Sequence, residues 1–96
     1  MKIKINVKLL NLTDENRIIL PINLPQNLTL FNCFNNQLVT LQNNLPPGLT
    51  LFNCSYNKIT KLPNNLPPGL TIFNCFYNYL ISLSPLARWR NLTILR

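Results

Sequence analysis

The chain has 96 residues, enough for one domain with a modest core. Hydrophobic residues make up 47% of the chain and exclude a disordered protein, whereas charged residues make up only 11%, against a usual share of about 25%. The net charge of +7 would suit nucleic acid or an anionic membrane as a partner, but the charges lie mostly near the two ends and none falls in the range 18–57. This distribution argues against a charged binding groove and indicates basic ends that keep a neutral chain soluble.

The first segment alternates lysine with aliphatic residues between Lys2 and Lys8, which is typical of a β-strand. A secretory signal needs an unbroken apolar stretch, and this segment has none. No apolar run elsewhere is long enough to span a bilayer, so we expect no membrane as a partner. These features predict a protein that is kept in the cytoplasm.

Three consecutive segments, 24–44, 45–65 and 66–85, repeat one pattern with a period of 21 residues, which is marked by Cys33, Cys54 and Cys75. The phrase Leu-Thr-(Leu/Ile)-Phe-Asn-Cys occurs in each of them. Every copy follows the pattern LxxLxLxxNxL, with Phe and Cys in place of two leucines. Because such repeats bury their apolar sides against their neighbours, they predict a single solenoid domain over 1–96.

This pattern resembles that of the leucine-rich-repeat family. The opening Leu-Pro-Pro-Gly-Leu, at Leu45 and Leu66, resembles the short LPxxL type of that family, which is familiar from bacterial effectors, amoebae and large DNA viruses. The resemblance is close over 24–85 and loose in the flanks. It implies a leucine-rich-repeat solenoid with a parallel β-sheet on its concave side. It also implies a non-catalytic protein that binds another protein, in the host cytoplasm or the virion if the source is viral.

The two flanks contain degenerate copies of the same pattern. In the N-terminal segment 1–23, Val7, Leu10, Leu12, Asn16 and Ile18 fit it with one extra residue before the Asn. In the partial C-terminal repeat 86–96, the phrase Leu-Thr-Ile-Leu at 92–95 repeats the start of a strand. The sequence therefore predicts five parallel strands, at 7–12, 28–33, 49–54, 70–75 and 92–95.

Side chains alternate along a strand, so Phe31 and Cys33 are expected to point inward and Leu30, Asn32 and Phe34 outward. Equivalent residues of neighbouring coils then stack in rows. The inward rows are Phe31, Phe52 and Phe73, and Cys33, Cys54 and Cys75, whose thiols are expected to be free and buried. A third buried row is Asn36, Asn57 and Asn78. We expect it to be structural, because a carboxamide can both donate and accept bonds where the chain leaves the sheet.

The return path between strands is rich in proline, as at Pro46 and Pro47 before Gly48. Proline opposes helix and favours extended geometry, so the convex side is expected to consist of extended or polyproline segments and turns, with little helix. One short helical turn is predicted at 84–89, where Ser and Pro stand at the start of a helix. Trp89 in that turn is expected to cover the end of the core.

The residues of catalytic sites are scarce in this sequence. It has no histidine, so the usual Ser and Cys triads cannot be built. Its only carboxylates, Asp14 and Glu15, are adjacent and are better interpreted as a solvated corner than as an acid–base pair. Cysteines stacked in one row do not converge on a metal ion. We therefore expect no enzyme, no cofactor and no metal site.

The outward face of the sheet is the remaining candidate for function. Its first row is apolar and was assigned as Leu9, Leu30, Leu51, Ile72 and Ile94. Exposed apolar surface of this extent usually marks an interaction site. The predicted partner-binding residues are Leu30, Asn32, Phe34, Asn35, Leu51, Asn53, Ser55, Tyr56, Ile72, Asn74, Phe76 and Tyr77. Repeat duplication alone would explain the Asn row, but it explains less well why Phe34, Ser55 and Phe76 differ between copies.

Two functions remain open on these residues. The first is a non-catalytic protein–protein interaction module that binds its partner through the concave sheet face. The alternative is a structural component of a larger assembly, such as a minor protein of a viral particle. The edge strand at 92–95 would present unpaired backbone groups, so end-to-end self-association or an assembly contact is also expected there.

Overall fold

The computed structural model describes residues 8–81 and 93–95. It contains five β-strands: β1 (Leu9–Asn11), β2 (Leu30–Asn32), β3 (Leu51–Asn53), β4 (Ile72–Asn74) and β5 (Thr93–Leu95). They form one parallel sheet in the order β1-β2-β3-β4-β5. This confirms the five predicted strands, although each has only three residues and is shorter than predicted. The part of the chain that the structure describes contains no helix, and so none that could cross a bilayer.

The register of the sheet is one 21-residue coil per strand. Leu30 pairs with Leu51 and Phe31 with Phe52, and the same step continues from coil to coil. Hydrogen bonds extend the ladder beyond each strand, as where the Cys33 N–H donates to the Asn53 carbonyl over 2.8 Å. Because the step is constant, equivalent residues of neighbouring coils stack directly on one another.

The core is built on the stacked phenylalanine row. Phe31, Phe52 and Phe73 are fully buried, as predicted, with ring centroids 5.4 Å and 5.7 Å apart along the row. Each buried side chain of this size contributes about 1.5–3 kcal/mol from the water-excluded surface. The stack therefore joins consecutive coils through their centres.

The three cysteines form the next buried row and are free, which confirms that prediction. Burial raises the pKa of the Cys33 thiol to about 12. The pKa of the Cys54 thiol is also raised well above its usual range, first by burial and then by the neighbouring thiols Cys33 and Cys75. These thiols stay protonated in the folded protein at neutral pH.

The buried asparagine row satisfies backbone groups where each coil leaves the sheet. The Asn57 carboxamide donates to the carbonyls of Cys33, over 3.1 Å, and Cys54, over 3.0 Å, and its Oδ1 accepts the Leu38 N–H. Asn36 and Asn78 repeat this arrangement one coil before and one coil after. The predicted structural role is confirmed.

The first coil differs from the prediction after Leu12. Asn16 is exposed and left-handed, with φ 55°, so it does not join the buried asparagine row. Ile18 is 67% exposed and does not take the inward place assigned to it. The extra residue is absorbed instead by two left-handed residues, Asp14 and Asn16, on either side of Glu15. Val7 lies outside the described residues.

The last strand is shifted by one residue from its predicted register. Thr93 pairs with Ile72 and Ile94 pairs with Phe73, so Ile94 packs against the core and the outward place falls to Thr93. The assignment of Ile94 to the outward apolar row is therefore wrong. The sheet keeps its 21-residue step, and a slip of one residue exchanges the two faces of a strand. This register puts the apolar side chain on the core and the hydroxyl on the surface.

The convex side consists of extended segments and turns, as predicted. The Leu49 N–H donates to the Pro46 carbonyl over 3.3 Å and closes a turn around Pro47 and Gly48. Equivalent turns precede β2 and β4. The predicted turn at 84–89 and the cap by Trp89 lie outside the residues that the structure describes.

Candidate partner-binding face

The concave face is the outward side of the sheet together with the turn that follows each strand. Its first row runs Leu9, Leu30, Leu51, Ile72 and Thr93 across the five strands. Leu30 and Ile72 are exposed and Leu51 between them is half-buried. Since the register places these side chains side by side, the row is a continuous apolar strip on a rigid sheet.

The second row consists of asparagines that end the strands. Asn32 Oδ1 accepts the Phe34 N–H over 2.9 Å, and Asn53 and Asn74 accept the N–H two residues on in the same way. Because a backbone N–H must face the oxygen, each Nδ2 is the atom left for solvent. Among the described residues only Gln42 Nε2 is buried without a partner, so the Nδ2 groups of this row reach the surface. The row was predicted as a binding row, and its role in the turn was missed, although Asn at the end of a strand signals such a turn.

The residue after each of these turns is left-handed. The φ angles are 56° at Asn35, 56° at Tyr56 and 51° at Tyr77. Asparagine tolerates this region, whereas a bulky residue there carries strain of about 1–3 kcal/mol. The two tyrosines therefore occupy a conformation that their own side chains disfavour, and the sequence pattern gave no sign of it.

Four exposed or half-buried rings gather beside the asparagine row, and we call Phe34, Tyr56, Phe76 and Tyr77 the aromatic cluster. The Tyr56 ring contacts the other three, with centroid distances of 5.2 Å to Phe34, 6.4 Å to Phe76 and 4.5 Å to Tyr77. Phe76 and Tyr77 meet edge to face at 4.4 Å. Edge-to-face and tilted pairs of this kind are favourable, so the cluster is assembled before any partner arrives.

Ser55 lies in the predicted row but below the surface. It is 2% exposed, and its Oγ donates to Asn53 Oδ1 over 2.6 Å. Phe34 and Phe76 occupy the same place in the coils on either side, and the Tyr56 ring contacts both of them. Ser55 is thus a small residue that leaves room for the Tyr56 ring, and its side chain is not open to a partner.

The N-terminal end of the face is polar. Asp14, Asn16, Asn35, Asn36 and Gln37 line an open cavity of about 310 Å³. The Asn35 carboxamide donates to the Asp14 carboxylate over 2.6 Å, and Gln37 donates to Asn16. Glu15 pairs with Arg17 at 2.9 Å, and in the described part of the chain Asp14 forms no ion pair. The face therefore runs from an acidic, amide-rich end to an aromatic end.

The chemistry of the described residues suits recognition. Within 8–81 and 93–95 no three or more Cys, Asp or Glu side chains gather to hold a metal ion. The nucleophilic thiols are buried in the core, away from the face. What the face offers is apolar surface, aromatic rings, amide donors and one carboxylate.

Comparison with known proteins agrees with this architecture. The leucine-rich-repeat domain of a Shigella effector, a solved structure, is similar to this chain with a TM-score of 0.67 and 30% sequence identity over 95% of the chain. The chain spans about half, 49%, of that domain's chain. No family model matches the sequence, and no curated protein is similar to it. Leucine-rich-repeat domains are generally non-catalytic and generally serve in protein interaction. The repeated sequence, the 21-residue coils and this similarity together identify the chain as a leucine-rich-repeat solenoid whose repeats resemble those of a bacterial effector.

Proposed function

We propose that the chain binds a protein partner across its concave face, with the aromatic cluster as the main contact. The observation that carries this proposal is the state of Tyr56 and Tyr77. Both rings are exposed, packed together and held by left-handed backbone. Backbone strain tends to persist at sites of function, and tyrosine is enriched among the residues that dominate binding energy.

The sheet supports this role physically. Its side chains stand on a hydrogen-bonded platform, so binding orders little additional backbone. Leu30, Leu51 and Ile72 add apolar area beside the cluster. The central face carries no charge, and for this reason we expect partner affinity to depend weakly on salt, in contrast to binding of nucleic acid by the basic ends.

The test is capture of partners from the native source by the whole chain, followed by two variants. Tyr77→Ala and Leu51→Asp should each weaken binding of the captured partner by about 1–3 kcal/mol while the protein stays folded. Matched controls lie beyond the face: Tyr79, 64% exposed against 62% for Tyr77, and the exposed Val39. Tyr79→Ala and Val39→Asp should leave binding within about 0.5 kcal/mol. Full binding by both folded face variants would reject the concave face as the binding site.

A second candidate is a structural part of a larger assembly, possessing contacts outside the concave face. The observation in its favour is exposed apolar surface in the first coil, at Ile18, Ile19 and Ile22. Ile22→Asp should then prevent co-purification with the assembly, whereas Tyr77→Ala should not. Recovery of the chain in fixed proportion with purified particles from the cytoplasm of the source would distinguish this role from a transient interaction.

A further inference from the structure

We infer that the concave face accepts a proline-rich segment in the polyproline II conformation, with a basic residue at the end that lies over Asp14. This inference rests on the proposed function, since it names the kind of partner segment that the same face recognises. Hydrogen-bond polarity, the flanking apolar surfaces, the spacing of the coils and the position of the carboxylate support it independently.

The hydrogen bonds available on the face favour a partner with free carbonyl groups. Asn32, Asn53 and Asn74 present Nδ2 donors, while each Oδ1 already holds a backbone N–H of its own coil. A polyproline II segment has no internal hydrogen bonds, so its carbonyls are free to accept. Proline has no N–H and therefore asks for no acceptor in return. A helix laid on the same row would offer no carbonyls and would leave the Nδ2 groups buried without partners.

The donors lie in a track between two apolar walls. Along β2 the outward residues are Leu30, Asn32 and Phe34 in that order, so the asparagine row has the apolar strip on one side and the aromatic cluster on the other. Proline rings pack well on aromatic side chains, and aromatic-lined grooves are a recurring way to bind polyproline II segments. Tyr56, in contact with Phe34 and Phe76, supplies such a wall over neighbouring coils.

The spacing of the coils matches the pitch of the segment. Neighbouring parallel strands lie about 4.8 Å apart, so Asn32 and Asn74, two coils apart, are separated by about 9.6 Å. One polyproline II turn contains three residues and rises about 9.3 Å. A segment that runs along the stacking direction therefore presents the same side of its backbone to every second coil.

The one acidic group of the track sets the direction of the segment. Asp14 lies at the first coil, and its carboxylate is bonded to Asn35 Nδ2 at one oxygen. The aromatic cluster lies from the second to the fourth coil. A lysine or arginine beside Asp14 and prolines against the rings complement this order, whereas the reversed segment would bring its cation to the aromatic end.

The experiment titrates the whole chain with synthetic peptides of about nine residues and measures affinity by calorimetry. One peptide has a single arginine before a run of prolines, and a second has the arginine after it. A third replaces the prolines by alternating Gly and Ser behind the same arginine, and a fourth replaces the arginine by alanine. We expect one of the two arginine–proline peptides to bind at least about fivefold tighter than the Gly-Ser and alanine peptides.

Two variants connect that binding to the face. Asp14→Asn should remove the advantage of arginine over alanine and leave the affinity for the alanine peptide unchanged. Tyr56→Ala should weaken every proline peptide by at least about fivefold, while Tyr79→Ala should change nothing. Equal binding of the Gly-Ser peptide, or binding that Tyr56→Ala does not alter in a folded protein, would overturn the inference. If the native partner needs Tyr77 but no proline peptide binds, the proposed function stands and the polyproline inference is wrong.

Discussion

At the scale of single residues, asparagine has two separate roles in each coil. One asparagine, such as Asn53, ends the strand by accepting an N–H two residues on and keeps its donor for the surface. The other, such as Asn57, is buried and spends its donors and acceptor on the backbone of two coils. The same residue type therefore supports binding at one place and folding at another, four residues away.

The buried asparagine should be the more sensitive of the two classes to substitution. Asn57→Ala would leave the Cys33 and Cys54 carbonyls and the Leu38 N–H unsatisfied, and each buried group without a partner costs about 1–3 kcal/mol. We expect the free energy of unfolding, measured by urea denaturation, to fall by about 3 kcal/mol or more. Asn43→Ala, at an exposed position of the convex side, should change it by less than about 0.5 kcal/mol. A similar effect of the two substitutions would contradict the structural role of the row.

The buried thiols predict a loss of stability in alkaline solution. The pKa of Cys33 is about 12 in the folded protein against 9.0 for a free thiol, so above pH 9 the unfolded chain releases a proton that the folded chain keeps. The stabilising contribution is complete below pH 9 and is lost as the pH rises from 9 towards 12, by about 1.4 kcal/mol per pH unit for each such thiol.

Replacing one thiol tests that origin. Cys54→Ala removes one ionisable group, so its free energy of unfolding should fall less steeply between pH 9 and pH 11 than that of the unaltered chain. Lysine and tyrosine titrate in the same range, but they are present in both proteins and cancel in the comparison. Parallel curves would show that ionisation of Cys54 does not contribute.

At the scale of elements, the return path contains one position where the coils differ. Pro21 and Pro63 occupy the place that Gln42 takes in the coil between them. Gln42 Nε2 is buried with no partner in the described part of the chain. Two neighbouring coils thus show that proline fits here and that the glutamine side chain is poorly satisfied.

We expect Gln42→Pro to stabilise the protein. Proline restricts the unfolded chain and removes the buried amide, which together predict a gain of about 1 kcal/mol in the free energy of unfolding. Gln37→Pro is the matched control, because the Gln37 N–H donates to the Arg17 carbonyl over 2.8 Å. It should destabilise the protein by about 3 kcal/mol in the same thermal or urea titration. Destabilisation by Gln42→Pro would mean that the middle coil follows a different path from its neighbours.

The regular coils could be predicted from the sequence and the irregular ones could not. A fixed period assigns every stacked row, as with the inward Phe52 and the buried Asn57. In the first coil one extra residue can be absorbed in several backbone conformations, and the choice of left-handed Asp14 and Asn16 depends on torsion angles that no spacing reveals. For β5, likeness of phrase suggested a 22-residue step, whereas the ladder kept 21 and turned Ile94 inward.

The candidate site divides in the same way. Alternation along the strands identified the rows of the face, and the rings of the aromatic cluster lie where it predicted. The burial of Ser55 depends on the ring that its neighbour Tyr56 places beside it, which a single strand pattern does not contain. The left-handed backbone of Tyr56 and Tyr77 is equally hidden, because tyrosine is not the residue that signals it.

At the scale of the whole molecule, stability depends on the contacts between consecutive coils. Phe52 stacks on Phe31 on one side and on Phe73 on the other, so it contributes to two interfaces at once. In a solenoid, stability is close to a sum of coil and interface terms. The middle of the stack is therefore the place where a single substitution divides the molecule.

Phe52→Ala should lower the free energy of unfolding by about 3–5 kcal/mol, because it leaves a cavity in the row. We also expect a smaller dependence of that free energy on urea, since the coils on either side no longer unfold together. Leu51→Asp, at the adjacent outward position, should keep the urea dependence of the unaltered protein and change stability far less. If Leu51→Asp unfolds the protein and Phe52→Ala does not, the two faces of the sheet have been exchanged.

The constant direction of the inter-coil hydrogen bonds has a mechanical consequence. Thr71 bonds to Thr50, and Thr50 to Thr29, each across 21 residues, so the bonds all lie along the stacking direction. A force that pulls the two ends apart in that direction loads the outermost coil before any other, as in opening a zipper. Force–extension traces should then show low, evenly spaced ruptures, each releasing one coil, which is about 70 Å of extended chain.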